Sequence, residues 1–276
     1  MALKLMYITN DIEIAQIAEQ SGVDWIFIDL EINGKEKRQG HLDTVISRHQ
    51  VDDISKIKRV INRSEVLVRI NPIFDGSMLE IDKIINNGAD IVMLPFFKTK
   101  EEVGKFIDYV SGRAKTMLLL ETTEAVENVD SILSVKGINY IHIGLNDLHL
   151  SYGMKFMFEP LVDGTVEKLF NKIRSKDIPC GFGGIANLGD GDLPAEYIIA
   201  EHYRLGSAMA ILSRSFCNMH KIESIDEAKN LFNKGVSEIR EFEKQLKEKE
   251  NEFFEENKII IKKKVLEIIN HKVSVK

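Results

Sequence analysis

The stretch 117–153, MLLLETTEAVENVDSILSVKGINYIHIGLNDLHLSYG, constrains the fold more than any other part of the chain. It holds two apolar runs, 117–120 and 140–143, each too short for a helix and each leading to a carboxylate. The first stops at Glu121; the second reaches Asp147 through the turn Gly144-Leu145-Asn146. Between them, residues 122–135 carry Ala125, Val126, Val129, Ile132 and Leu133 at helical spacing. Strand, helix and strand in that order form a βαβ unit with parallel, adjacent strands. Glu121 and Asp147 then sit at the carboxyl ends of neighbouring strands, the edge of a parallel α/β fold where ligands bind. Side by side, two carboxylates repel unless a proton or cation lies between them. As hard oxygen donors they suit Mg2+ or Mn2+, with water and substrate completing the coordination. The structural alternative is that each acid caps the helix that follows it.

The first two-thirds of the chain repeat this alternation. Strands are expected at 3–8, 25–30, 66–70, 91–95, 116–120, 140–143, 178–182 and 203–207, with helices at 11–20, 51–61, 75–87, 100–110 and 165–174 besides 122–135. Eight such units predict an α/β fold of the (β/α)8 (TIM) barrel type, ahead of an open doubly wound sheet. Three joints, SGVDW, NGADI and KGINY, share one helix-to-strand chemistry, a left-handed Gly followed by an apolar strand. From Ser224 the texture changes. Residues 225–269 are nearly free of Gly and Pro, rich in Glu and Lys, and read as one or two long amphipathic helices outside the barrel. The division is therefore 1–220 for the barrel and 221–276 for a C-terminal helical extension. Phe253-Phe254 and Ile259-Ile260-Ile261 need cover from the barrel or from another subunit, and a homo-oligomer built through this tail is the expectation.

A net charge of −6 gives no basic footprint for nucleic acid. The two cysteines, Cys180 and Cys217, read as free thiols in a reducing cytoplasm. The start MALKLMYITND lacks the pattern of a signal peptide, and no apolar run reaches the roughly 20 residues of a membrane span. A cytoplasmic protein without membrane or nucleic-acid partners is expected.

Barrel sites collect side chains from several strand ends. These ends carry Asp29 and Glu31 after the second strand, Arg69 and Asn71 after the third, Pro95 and Phe96 after the fourth, then Glu121 and Asp147. Ser207, beside Gly206 after the expected eighth strand, is a further substrate-binding candidate. Arg69 ends the apolar run VLVRI, so its guanidinium must fork onto a carboxylate, either of a ligand or of Asp29 or Glu31. The segment GKEKRQGH places Lys35, Arg38 and His41 after the second strand, where they would clamp a phosphate or carboxylate or form a solvated loop.

The chain resembles the HpcH/HpaI grouping of metal-dependent pyruvate aldolases and citrate lyase β-subunits. The matching segments are DWIFIDLE at 24–31, VLVRINP at 66–72, GADIVMLPF at 88–96, LLLETTEAVENVDSIL at 118–133 and YIHIGLNDLHLSYG at 140–153. They span about residues 1–215 in the family's order. The resemblance implies a barrel that breaks or forms a carbon–carbon bond beside a 2-oxo acid or an acyl-CoA. By position it gives Glu121 and Asp147 the divalent metal and Arg69 the substrate's carboxylate and oxo group, with Glu31 and Asp29 holding the arginine or metal-bound water. Gly144 and Leu145 join the substrate-binding candidates. The aldolase branch places a histidine after the Glu of its Asp-x-Glu motif; here that position is Ile32. His149 or His41 would have to serve as the replacement base. His142, inside an apolar run, reads as a core residue. The leading expectation is an aldolase acting on pyruvate or a related 2-oxo acid and an aldehyde. An acyl-CoA lyase and a non-catalytic metabolite-binding or scaffold barrel are the rivals.

Overall fold

The computed structural model describes residues 2–33, 49–213, 216–217 and 222–274. The strands are β1 (Lys4–Ile8), β2 (Trp25–Asp29), β3 (Glu65–Arg69), β4 (Ile91–Leu94), β5 (Lys115–Leu120), β6 (Tyr140–Ile143), β7 (Cys180–Phe182), β8 (Gly184–Ile185) and β9 (Met209–Leu212). The helices are α1 (Ile12–Ser21), α2 (Val51–Val60), α3 (Ser77–Asn86), α4 (Lys100–Val110), α5 (Thr123–Glu127) and α6 (Val129–Ile132). They continue with α7 (Leu145–Ser151), α8 (Glu159–Val162), α9 (Thr165–Arg174), α10 (Ala195–Leu205), α11 (Ile225–Lys247) and α12 (Asn251–Ser274).

All strand pairs are parallel, in the order β7-β6-β5-β4-β3-β2-β1-β9-β8. The two edge strands are halves of one segment that bends at Gly183, where φ is 49°. Its first half pairs with β6 and its second with β9, so this segment joins the two edges and brings the sheet round into a nearly closed barrel. Across the seam, the amides of Ala208 and Ser213 donate to the carbonyls of Cys180 and Ile185, both at 2.8 Å. A Cβ at Gly181 would lie 2.2 Å from the Met209 carbonyl oxygen, so closure at this point needs a residue without a side chain. The fold is the expected α/β barrel of (β/α)8 type.

Alternation along each strand sorts its side chains between two cores. Met6, Trp25, Phe27, Leu67, Ile91, Met93, Met117, Leu119 and Met209 form a cluster of strand residues only, which fills the barrel. The intervening Ile26, Ile28, Val66, Val68, Leu118 and Ile141 join Ile14, Ile54, Phe106 and other helix residues in the larger core between sheet and helices. Large, flexible Met and aromatic side chains suit the interior of an eight-stranded barrel, which side chains just fill. The repeated helix-to-strand joints behave alike, with Gly22, Gly88 and Gly137 at φ of 100°, 103° and 95°.

The structure corrects three local expectations. Residues 203–207 are not a strand: Tyr203 and Leu205 end α10, and Gly206 closes it in the left-handed conformation. The last strand is Met209–Leu212 instead. The helix expected over 122–135 is broken at Asn128 into α5 and α6. The turn expected at 144–146 is already helical from Leu145, so Asp147 lies in the first turn of α7.

Helix α11 packs on α1 and α10, and α12 on α10 and α8. Buried Glu243 of α11 accepts the Leu3 amide at 2.7 Å and the Tyr203 hydroxyl at 3.2 Å, and pairs with Arg240 at 2.7 Å. Arg240 in turn donates to the Leu3 carbonyl at 2.9 Å. The end of the chain thereby holds its first strand in place. No described helix is long and apolar enough to cross a membrane.

Two histidines are wholly buried in this framework. His142 Nε2 donates to the Gly183 carbonyl at 3.1 Å, which leaves Nδ1 unpartnered. His202 stacks on Phe182 at 3.8 Å with Nδ1 on Ser207 and Nε2 unpartnered. Burial pushes His142 down from 6.5 to about 4, and burial together with the neighbouring His142 pushes His202 well down. Between these values the unfolded chain binds protons that the folded chain refuses. Their contribution to stability is therefore complete above about 6.5 and is lost as pH falls towards 4. His142→Gln keeps a donor for Gly183 and should flatten this loss, read as the difference between urea midpoints at pH 7 and pH 5. An equal acid loss in both proteins would count against this account.

Candidate active site

Because parity decides which strand residues face inward, the site can be built outward from the barrel core. Trp25 and Phe27 face inward on β2, so Asp29 is the next inward position. Leu67 puts Arg69 in the same relation on β3, and the two are register partners across adjacent strands. Met117 and Leu119 on β5 lead in the same way to Glu121, and His142 on β6 leads to Gly144. Polar groups thus occupy the inward positions at one mouth of the barrel, directly above an apolar filling.

Arg69 forks onto Asp29, with Nε to Oδ1 and Nη2 to Oδ2 both at 2.8 Å. Its Nε also lies 3.4 Å from Glu31 Oε2, and its guanidinium stands 5.6 Å from the centre of the Phe27 ring. Burial works against the arginine's charge, but Asp29 and Glu31 outweigh it and hold the group protonated far above any working pH. Nη1 donates to no described residue. Glu31 is buried, and its amide donates to Asp29 Oδ1 at 3.2 Å.

Glu121 is 2% exposed. Burial first, then the charges of Asp147 and Glu31, push its carboxyl well above the usual range, against the opposing pull of Arg69 and the Phe96 amide. Glu121, Glu31, Asp147 and Arg69 therefore share one electrostatic site. Glu121 is not a helix cap, because Thr122 caps α5 through the Ala125 amide. Two features sequence reasoning missed fix its position. Phe96 holds a left-handed backbone at φ 52° and donates its N–H to Glu121 Oε1 at 3.1 Å. Such a conformation costs a side-chain-bearing residue on the order of 1 kcal/mol or more. At Gly144, a Cβ would lie 2.7 Å from Glu121 Oε2. Neither feature leaves a local sequence signal beyond Phe96 following Pro95 and a glycine after a strand.

Asn71 accepts the amides of Ile32 and Asn33 at 2.9 and 2.8 Å and is itself anchored on Glu80 at 2.6 Å. His49 Nδ1 accepts the Asp29 amide at 3.0 Å. Lys35, Arg38 and His41 lie outside the described residues, in a segment whose two flanks, Asn33 and His49, are both tied to the site. His149 is buried in α7, two residues from Asp147, a spacing that turns the two side chains to different faces of the helix. Its Nδ1 is unpartnered, and burial pushes its pKa down. Leu145 is buried beside Gly144. Ser207 precedes β9 at the opposite mouth, bonded to His202 and to the carbonyls of Cys180 and Met209. Its expected place after the last strand is therefore corrected along with the strand itself.

If Gly144 is the cradle for Glu121, Gly144→Ala must displace one of them. We expect a loss of about 1–3 kcal/mol in urea unfolding, the usual cost of overpacking, together with a displaced Glu121 carboxylate in a crystal structure. An unchanged midpoint with Glu121 in place would show that the contact is slack.

Residues 5–159 match the family model described as HpcH/HpaI aldolase/citrate lyase. Among characterised proteins, the chain is 25% identical over 201 residues to a 2-keto-3-deoxy-L-rhamnonate aldolase of Salmonella gallinarum, covering 61% of this chain and 69% of that one. The same aldolase from Salmonella typhi is 26% identical with the same coverage. Among solved structures, an HpcH/HpaI aldolase from Desulfitobacterium hafniense DCB-2 superposes with a TM-score of 0.60 at 18% identity, covering 77% of this chain and 86% of that one. The citrate synthase SbnG gives a TM-score of 0.60 at 18% identity, covering 83% and 94%. The structural likenesses are likenesses of fold. With more than half of its length matched by the family model, the chain belongs to the HpcH/HpaI aldolase/citrate lyase family of carbon–carbon lyases.

Proposed function

We propose that the protein is a divalent-metal-dependent aldolase that makes or breaks a carbon–carbon bond next to pyruvate or a related 2-oxo acid. The observation that carries this reading is the buried Glu121, crowded by Asp147 and Glu31 with one guanidinium nearby. Such a carboxylate needs either a proton or a cation beside it. The donor set fits Mg2+ or Mn2+, which prefer carboxylate and water oxygens. Among the described residues, no group of three or more His, Cys, Asp or Glu side chains could hold an ion by itself. Glu121 and Asp147, whose charges act on each other, are the pair that would hold it, with the remaining positions left to water and substrate. When bound, the cation supplies Lewis-acid polarisation of the 2-oxo group.

The residues of this chain do the rest. Arg69, already oriented by Asp29, presents Nη1 to the oxygen on which negative charge grows as the bond breaks. A fixed donor of this kind commonly contributes 10²–10³ in rate. Retro-aldol cleavage takes the proton from the substrate hydroxyl, breaks the bond to release an aldehyde, and leaves an enolate that a proton at carbon quenches. Ile32, at the position where the family resemblance implies a histidine, stands 54% exposed, so the proton carrier comes from elsewhere. His41 is our candidate, because the described residues on either side of its segment, Asn33 and His49, are bonded to Asn71 and to the Asp29 amide. His149, on another face of α7 from Asp147, is poorly disposed for the role. Lys35 and Arg38 in the same segment would take a phosphate or carboxylate on the aldehyde partner. Gly144, against Glu121, and its neighbour Leu145 would border the 2-oxo acid. The relatives named for 2-keto-3-deoxy-L-rhamnonate cleavage make a sugar-acid substrate the first to try.

The test is deuterium uptake into the methyl group of pyruvate in D2O, followed by mass spectrometry with Mg2+ or Mn2+ added. Exchange should require the metal, fall at least about 100-fold in Asp147→Ala, and fall about 10²–10³-fold in Arg69→Lys. Exchange that survives both chelation and Asp147→Ala would sink the metal reading. Cleavage of a citryl- or malyl-type thioester in the absence of pyruvate exchange would move the assignment to an acyl-CoA lyase.

A further inference from the structure

We propose that His49 is a positioning residue of the active site: its neutral ring ties off the end of β2 and so aims the fork between Asp29 and Arg69. The assignment rests on the aldolase reading above and adds to it a residue from beyond the strands. The Asp29 amide donates to His49 Nδ1 at 3.0 Å, across 20 residues of chain. Because the amide is the donor, Nδ1 offers a lone pair and the ring proton sits on Nε2.

The ladder shows why Asp29 needs such an acceptor. Along a parallel strand, the backbone groups of successive residues turn to opposite neighbours. Leu30 donates to the Arg69 carbonyl of β3 at 2.9 Å, and Phe27 accepts the Thr9 amide from the β1 side at 3.2 Å. Asp29, two residues beyond Phe27, therefore turns its amide towards β1. The last register pair of those strands is Ile8 with Phe27. After it the chain turns into α1, with Thr9 Oγ1 taking the Asp11 amide at 3.1 Å. Asp29 is 1% exposed, so its amide has little access to water and needs a partner from the protein. The imidazole of His49 takes the part that β1 no longer supplies.

The ring is itself held in place. His49 directly precedes Gln50, the N-cap of α2, and Asp53 of that helix accepts the Gln50 amide and the Asn10 side chain, both at 2.9 Å. Lys56 pairs with the same carboxylate at 2.9 Å. The start of α2 is thus fixed to the segment after β1, and His49 with it. On its other side, Asp29 passes the constraint on. Its Oδ1 takes Arg69 Nε at 2.8 Å and the Glu31 amide at 3.2 Å, and its Oδ2 takes Arg69 Nη2 at 2.8 Å. Backbone and carboxylate of Asp29 are then both tied, which leaves the guanidinium little freedom to turn. A reacting group displaced by about 1 Å can lose about 10²-fold in rate.

The test is deuterium uptake into pyruvate with Mn2+ added, read as kcat and KM for the wild type and for His49→Ala, His49→Asn and His49→Gln. Asn can place its Oδ1 where Nδ1 stood, whereas Gln reaches the position of Nε2. His49→Ala and His49→Gln should lose about 10–100-fold in kcat with little change in KM, the mark of a contact that matters in the transition state. His49→Asn should regain most of that loss. Crystal structures should show the fork displaced in the Ala and Gln variants and restored in the Asn variant. Should His49→Ala fail to fold, as judged by circular dichroism, the comparison of Asn with Gln carries the same reading. An Asn variant no better than the Ala or Gln variant, a loss confined to KM, or a fork unmoved in every variant would each overturn the assignment. No exchange by the wild type would remove the aldolase reading instead, and the crystal structures alone would then decide whether His49 aims the fork.

Discussion

An excess of buried negative charge at one mouth of the barrel is the constraint on which the site depends. Asp29 is neutralised by the fork of Arg69, which leaves Glu31, Glu121 and Asp147 to share what remains of its field. Removing carboxylates from water is expensive, and fixed like charges make it more so. Such a site persists only if the fold supplies the stabilisation elsewhere. Here the filled barrel beneath and the helical layer around it do so. The result is the crowded acidic site at which we propose that a divalent cation binds.

The side chains of the site rise from strand ends rather than from long loops, which limits their wander. Their supports are mostly backbone. The Phe96 amide takes one oxygen of Glu121, and the missing side chain of Gly144 leaves room for the other. Asn71, fixed by Glu80, pins the chain as it leaves Glu31. The unfavourable backbone of Phe96 makes sense in this setting, as a local cost held in place by the surrounding barrel.

At the opposite mouth the chain ties its end to its beginning. Glu243 and Arg240 on α11 grip the backbone of Leu3, and Arg240 also reaches Asp24 at 3.3 Å. Removing one member of such a buried pair strands the other. α12 rests on α10 and α8. One helix of the C-terminal pair thus holds the start of the first strand, and the other covers the outer helices of the barrel.

The barrel and much of its mouth were legible in the residues. Short apolar runs, period-two alternation and the Gly joints act over a handful of residues, so β1 to β6 fell close to their expected places, with Asp29, Arg69 and Glu121 at their ends. The last αβ unit was not legible. Tyr203 and Leu205 alternate with polar neighbours as a strand would, and only the hydrogen bonds of Gly206 back to His202 and Tyr203 show a helix ending there. That misreading carried Ser207 to the wrong mouth. By itself, the sequence determined which residues stand at the ends of the first strands, because those signals are local. Tertiary structure alone decided that Phe96 and Gly144 close on Glu121 and that Asp29 takes the fork of Arg69. Those contacts join segments 23 to 40 residues apart. Barrel curvature sets them, and no short run of residues encodes it.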